Sequence, residues 1–96
     1  MTEQQFDGQG VVVVGAADGI GRATAALLAS RGARIAALDR NVEGCREMLA
    51  ELDRPAPDGV AVRVDVTDAA SVAAAVAEAE DRLGGVSVLV NCAGIT

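Results

Sequence analysis

The stretch Val11-Val12-Val13-Val14-Gly15-Ala16-Ala17-Asp18-Gly19-Ile20-Gly21-Arg22-Ala23 decides the fold. A β-branched run feeds a glycine-rich turn, and an alanine- and leucine-rich helix pattern follows at once, which is how a chain builds a phosphate cradle. A pyrophosphate needs several backbone N–H groups aimed at it, with the positive end of a helix dipole behind them. Side chains would block that approach. Gly15 suits the sharp exit from the strand, Gly19 a close approach of backbone to phosphate, and Gly21 tight packing of the new helix on the strand. Taken without its context, the same turn also reads as a strand-to-helix connection with no ligand.

The surrounding chain supplies that context. Residues 1–10 are polar and predict a flexible lead-in. Val11–Val14 is a solid apolar run of the kind buried on both faces of a sheet. A helix is expected from Gly19 to Arg31, closed by Gly32. Ala33–Asp39 reads as a second strand. Asn41 then caps a helix whose apolar face carries Val42, Cys45, Leu49 and Leu52, with Pro55 and Pro57 ending it. Val60–Asp65 is a third strand whose alternation suggests a sheet edge. Thr67 or Asp68 caps a third helix with Val72, Val76, Ala79 and Leu83 on one face, Gly84-Gly85 stops it, and Val86–Val90 is a fourth strand.

This β-α-β-α-β-α-β order predicts an α/β fold, a parallel sheet with right-handed crossovers. Doubly wound in the Rossmann manner, its strands lie 3-2-1-4 and the ligand crevice opens between strands one and four, beside the glycine loop. The candidate cofactor-binding residues of that loop are Gly15, Ala17, Asp18, Gly19, Ile20 and Gly21. Asp39 closes strand two, where a carboxylate can accept from both hydroxyls of an adenosine ribose and repel a 2′-phosphate. It favours NAD over NADP. Taken alone, Asp39 also reads as a solvated strand-end charge.

Composition agrees with a small-molecule binder. The 96 residues are 51% hydrophobic but 1% aromatic, so the core is Val, Leu, Ile and Ala. A chain this size buries only about 60–65% of its unfolded surface, which makes it a marginal folding unit. The net charge is −6 and lysine is absent, which argues against binding nucleic acid or anionic membranes. Residues 1–7 lack the basic and apolar regions of a signal peptide, and no run reaches the roughly 18 apolar residues of a membrane span. A cytoplasmic location is expected. Cys45 and Cys92, without any histidine, make no metal-site pattern; both are expected as reduced, packed thiols.

The spacing Gly-x-x-x-Gly-x-Gly, from Gly15 to Gly21, resembles the cofactor loop of the short-chain dehydrogenase/reductase family, with Val14 standing where the family usually has Thr. The resemblance runs from Val11 to Thr96 and covers the first half of the family's fold, so 11–96 is expected to be a partial NAD(P)-binding domain truncated after strand four. It implies further site residues. Asp65-Val66 is similar to the family's adenine-contacting Asp-Val segment, and Asn91-Cys92-Ala93-Gly94 to its Asn-Asn-Ala-Gly. Asn91 then braces the sheet beside the cofactor, and Ala93 and Gly94 leave room for ribose and nicotinamide. Arg40, just after the acidic position, can reach a 2′-phosphate in some family members. Asp18 stands where NADP users often carry a basic residue.

The family transfers hydride between the nicotinamide and an alcohol or carbonyl carbon, with a Tyr as acid/base, a Lys four residues on and a Ser orienting the substrate oxygen. The sequence contains no Tyr, Lys or His, so no catalytic residue is assigned and the chain alone is expected to be inactive. The resemblance implies a homotetramer or homodimer for the full-length enzyme. An apolar strand four at a sheet edge predicts a chain that aggregates or needs a partner. Alternatives are a stand-alone or split NAD-binding module without catalysis of its own, and a remnant that binds nothing.

Overall fold

The computed structural model describes residues 6–52 and 59–92. Along them run β1 (Gly10–Val14), α1 (Gly19–Ser30), β2 (Arg34–Asp39), α2 (Val42–Ala50), β3 (Val60–Arg63), α3 (Ala69–Leu83) and β4 (Val88–Asn91). The strands form one parallel sheet in the order β3-β2-β1-β4. That is the order the sequence predicts.

The all-valine β1 explains the layering. Successive side chains of a strand point to opposite faces, so Val11 and Val13 join a cluster with Ala25 and Ala29 of α1 and Cys45 and Met48 of α2. Val12 and Val14 face the other way, into a cluster with Ala75, Ala79 and Leu83 of α3. Val11, Val12 and Val13 are wholly buried, each contributing about 1.5–3 kcal/mol of burial. On α1 the buried residues are Gly21, Ala25 and Ala29, small side chains one turn apart that let the helix lie close to the sheet.

Element ends shift for local reasons. Helix α1 stops at Ser30, and Gly32, at φ +94°, carries the chain out. Strand β3 ends at Arg63 and β4 starts at Val88, where pairing with Val11 begins. Residues 6–9, expected as a loose lead-in, are tied by Phe6 N–H to the Arg31 carbonyl and Gln9 N–H to the Phe6 carbonyl.

Two helix faces also differ from expectation. On α2 the buried residues are Gly44, Cys45 and Met48, with Leu49 and Leu52 at the margin. Gly44 lies against Ala17, which rolls the helix so that Met48, one turn on, points inward. Helix α2 ends at Ala50 with Glu51 as cap; Pro55 and Pro57, expected to end it, lie outside the described residues. On α3, Ala75 joins Ala79 and Leu83 in the core, while Val72 and Val76 pack at its edge.

Candidate functional site

All strands being parallel, the loops after β1, β2 and β3 gather at one end of the sheet, beside the end of β4. The loop after β1 is held in place by backbone: Gly15 N–H and Ala16 N–H both donate to the Leu38 carbonyl, at 2.7 and 3.3 Å. Gly15 takes φ +84° and so makes the exit from the strand. A Cβ on Gly21 would sit 1.8 Å from the Gly15 carbonyl oxygen, so only glycine lets the first turn of α1 close against the loop. Gly19, at φ +56°, is different: a Cβ there would meet nothing within 4 Å. One glycine fits against protein, the other faces open space.

The N-terminus of α1 is also the unusual one. Asn41 Oδ1 caps α2 through Gly44 N–H at 3.0 Å, and Asp68 Oδ1 caps α3 through Ala70 N–H at 2.9 Å. Asp18 makes no such side-chain bond at the start of α1. The first-turn N–H groups and the positive dipole end are therefore left to solvent or to an anion. Asp18, Gly19 and Ile20 are all exposed there.

Ala17 anchors the loop from behind. It is buried; its N–H donates to Asp39 Oδ2 at 3.1 Å and its carbonyl accepts from Arg22 Nη1 at 3.3 Å. A Cβ on Gly44 would come within 2.9 Å of the Ala17 Cβ. Arg22 also reaches Glu51 Oε1 at 2.5 Å, joining the start of α1 to the end of α2. The other oxygen of Asp39, Oδ1, accepts from Asn41 N–H at 2.9 Å. The carboxylate is thus fixed by two backbone donors, while an ionised carboxylate has about four acceptor sites. Two remain open to further donors among the described residues. Gly44 and Arg22 escaped sequence reasoning; a glycine inside a helix, where it costs about 1 kcal/mol against alanine, was the available signal for Gly44.

Beside Asp39 lies a cavity of about 250 Å³ lined by Gly15, Asp39, Arg40, Val64, Val66 and Thr67. It falls just below the roughly 300–1,000 Å³ of a site that takes a whole drug-sized ligand. Its walls combine apolar Val64 and Val66 with the polar Thr67 and the charged Asp39 and Arg40. At its rim Arg40 Nη2 pairs with Asp65 Oδ1 at 3.1 Å. The same oxygen accepts from Thr67 Oγ1 at 2.6 Å and Thr67 N–H at 3.0 Å. The Thr67 hydroxyl, then its N–H, and then Arg40 hold the Asp65 carboxyl below the usual carboxylate range.

In the core under α2, burial first and then the Asp39 charge, opposed by Arg22, raise the Cys45 thiol to about 12. On the β4 side, Asn91 pairs in register with Val14, and Cys92 N–H donates to the Val14 carbonyl at 2.9 Å. The end of β1 is tied to β4 there through backbone. Ala93 and Gly94 lie outside the described residues.

Known proteins share this arrangement. The pattern that defines the short chain dehydrogenases matches residues 9–96. The chain belongs to that family. Among short chain dehydrogenases and their relatives, it is 47% identical over 93 residues to D-threitol dehydrogenase of Mycolicibacterium smegmatis, covering 95% of this chain and 35% of that protein. It is 42% identical over 91 residues to sorbitol dehydrogenase of Cereibacter sphaeroides, covering 95% and 34%. The crystal structure of 3-ketoacyl-(acyl-carrier-protein) reductase from Brucella melitensis complexed with NADH superposes with a TM-score of 0.78 at 29% identity, over 88% of this chain and 34% of that one. The chain spans about a third of the length of these curated relatives. Membership makes it part of an oxidoreductase family of Rossmann-type fold, and no described helix is long and apolar enough to cross a membrane.

Proposed function

We propose that this chain is the NAD-binding portion of a short chain dehydrogenase that transfers hydride between a nicotinamide cofactor and an alcohol or carbonyl substrate. The observation that carries the reading is the uncapped, glycine-lined start of α1 beside a cavity walled by Asp39. The first-turn N–H groups from Gly19 to Gly21 would hold the pyrophosphate, with Gly15, Ala17, Asp18 and Ile20 shaping the loop around it. Asp39 would accept the two ribose hydroxyls on its remaining lone pairs, and its charge would disfavour a 2′-phosphate. Asp65 and Val66 would border the adenine at the cavity, with Arg40 at its rim. Asn91, Ala93 and Gly94 would flank the ribose and nicotinamide on the β4 side. When bound, the nicotinamide supplies or accepts the hydride.

A second reading is a dinucleotide-binding module without catalysis of its own, supported by the same loop and cavity. Both readings require binding. Titration of the full-length protein with NADH, followed by nucleotide fluorescence, is expected to saturate. Asp39→Ala is expected to weaken binding tenfold or more, since hydrogen bonds to a charged acceptor contribute about 1.5–3 kcal/mol each. No saturable binding by the unaltered protein overturns both readings. Turnover with a carbonyl substrate separates the first from the second.

A further inference from the structure

The ion pair at the cavity rim is built asymmetrically. Asp65 is tied at one oxygen and at its backbone: Oδ1 accepts from the Thr67 hydroxyl and the Thr67 N–H, and its own N–H donates to Ser71 Oγ at 3.0 Å. Arg40 has none of this support. Its side chain is 69% exposed, and Asp65 is the group its guanidinium engages among the described residues. Arg40 is also the one cation among the residues that line the cavity. A braced anion therefore holds an exposed cation at the third strand's side of the opening.

We infer that Asp65 is a positioning residue for cofactor selection: by keeping the Arg40 guanidinium on itself, it withholds from a 2′-phosphate the one cation of the cavity wall. The inference rests on the dinucleotide reading above. Asp39 then disfavours the extra phosphate by repulsion, and Asp65 does so by occupying the arginine that would neutralise it. A guanidinium can make two parallel bonds to a phosphate, so its release would matter. The effect is bounded, because an exposed pair of this kind is worth at most about fivefold in an equilibrium constant.

The test is a double-mutant cycle read as a ratio. The ratio of NADPH to NADH dissociation constants is measured on the full-length protein for the unaltered chain, Asp65→Asn, Arg40→Gln and the pair together, in dilute salt so that screening does not hide the effect. An Asn at position 65 still accepts from Thr67 and from an adenine amine but carries no charge. Asp65→Asn is expected to lower the ratio by roughly three- to fivefold. Arg40→Gln alone, a surface change that leaves the core untouched, is expected to leave it within about twofold, and adding Asp65→Asn to Arg40→Gln to change it no further.

An equal drop with and without Arg40 would assign the effect to direct repulsion by Asp65 and overturn the inference. So would an unchanged ratio in Asp65→Asn, or a ratio that climbs severalfold in Arg40→Gln, which would mean that Arg40 already reads the phosphate. In each of those cases NADH still binds and the dinucleotide reading stands. Absence of saturable NADH binding by the unaltered protein overturns that reading and this inference together.

Discussion

Strands β3 and β4 both run along an edge of the sheet, yet their surroundings differ. Val60 and Val62 of β3 are sealed in the cluster under α3, and Ala61 packs on the opposite face towards α2. On β4, Val88 and Val90 are half-buried and Leu89 is 56% exposed. The cavity beside Asp39 lies on the wrapped side, at the ends of β1, β2 and β3. On that side the helices of the chain cover the sheet on both faces. Where β4 borders the crevice, the sheet presents apolar side chains to solvent.

The sharpest way to break this contrast is to strike the wrapped side at its tightest contact. Gly21→Ala drives a Cβ to 1.8 Å from backbone, the Gly15 carbonyl oxygen, and neither partner can swing away. A loss of more than about 3 kcal/mol in urea unfolding is expected. Gly19→Ala, two residues earlier and facing open space, is expected to cost about 1–2 kcal/mol, the strain of its positive φ. Equal losses would mean that the loop does not pack as described.

The edges themselves give the next effect. Val62→Ala removes buried methyl groups beneath α3 and is expected to cost about 2 kcal/mol. Leu89→Ala on β4 is expected to stay within about 0.5 kcal/mol, as for surface changes generally. If the two cost the same, β4 is covered in solution and the contrast fails.

What the sequence revealed was what is local. Glycine spacing, the Asn41 cap, the choice of Thr67 or Asp68 at the start of α3 and the valine run are each written within a few residues, and strand order followed from the alternation of elements. The couplings that hold the site together were not legible. Asp39 meets Ala17 across 22 residues, Arg40 meets Asp65 across 25, and Arg22 meets Glu51 across 29. Such pairs depend on how packed elements roll and stagger. The small residues Gly44 and Ala17 set that roll, and it brought Met48 inward where the periodicity had favoured Leu49. Asp39, read as a ligand group, is for the same reason also the clasp of the loop.

The smallest effect compares the two thiols and appears away from neutral pH. Cys45 lies under the wrapped side and keeps its proton up to about 12, whereas an unhindered thiol releases it near 9.0. Its folded value is raised, so its contribution is fully present below pH 9 and is lost as pH climbs towards 12. At pH 10 the unaltered protein is expected to have lost about 1 kcal/mol more than Cys45→Ala, each referred to its own stability at pH 8. Parallel curves for the two proteins would assign the alkaline loss to other groups. Cys92, partly exposed beyond β4, serves as the control: a thiol reagent at pH 8 is expected to modify it in the folded protein, and to reach Cys45 only at the rate of unfolding. Modification of both at one rate would show that α2 does not shield the wrapped side, and the difference between the two edges would be lost with it.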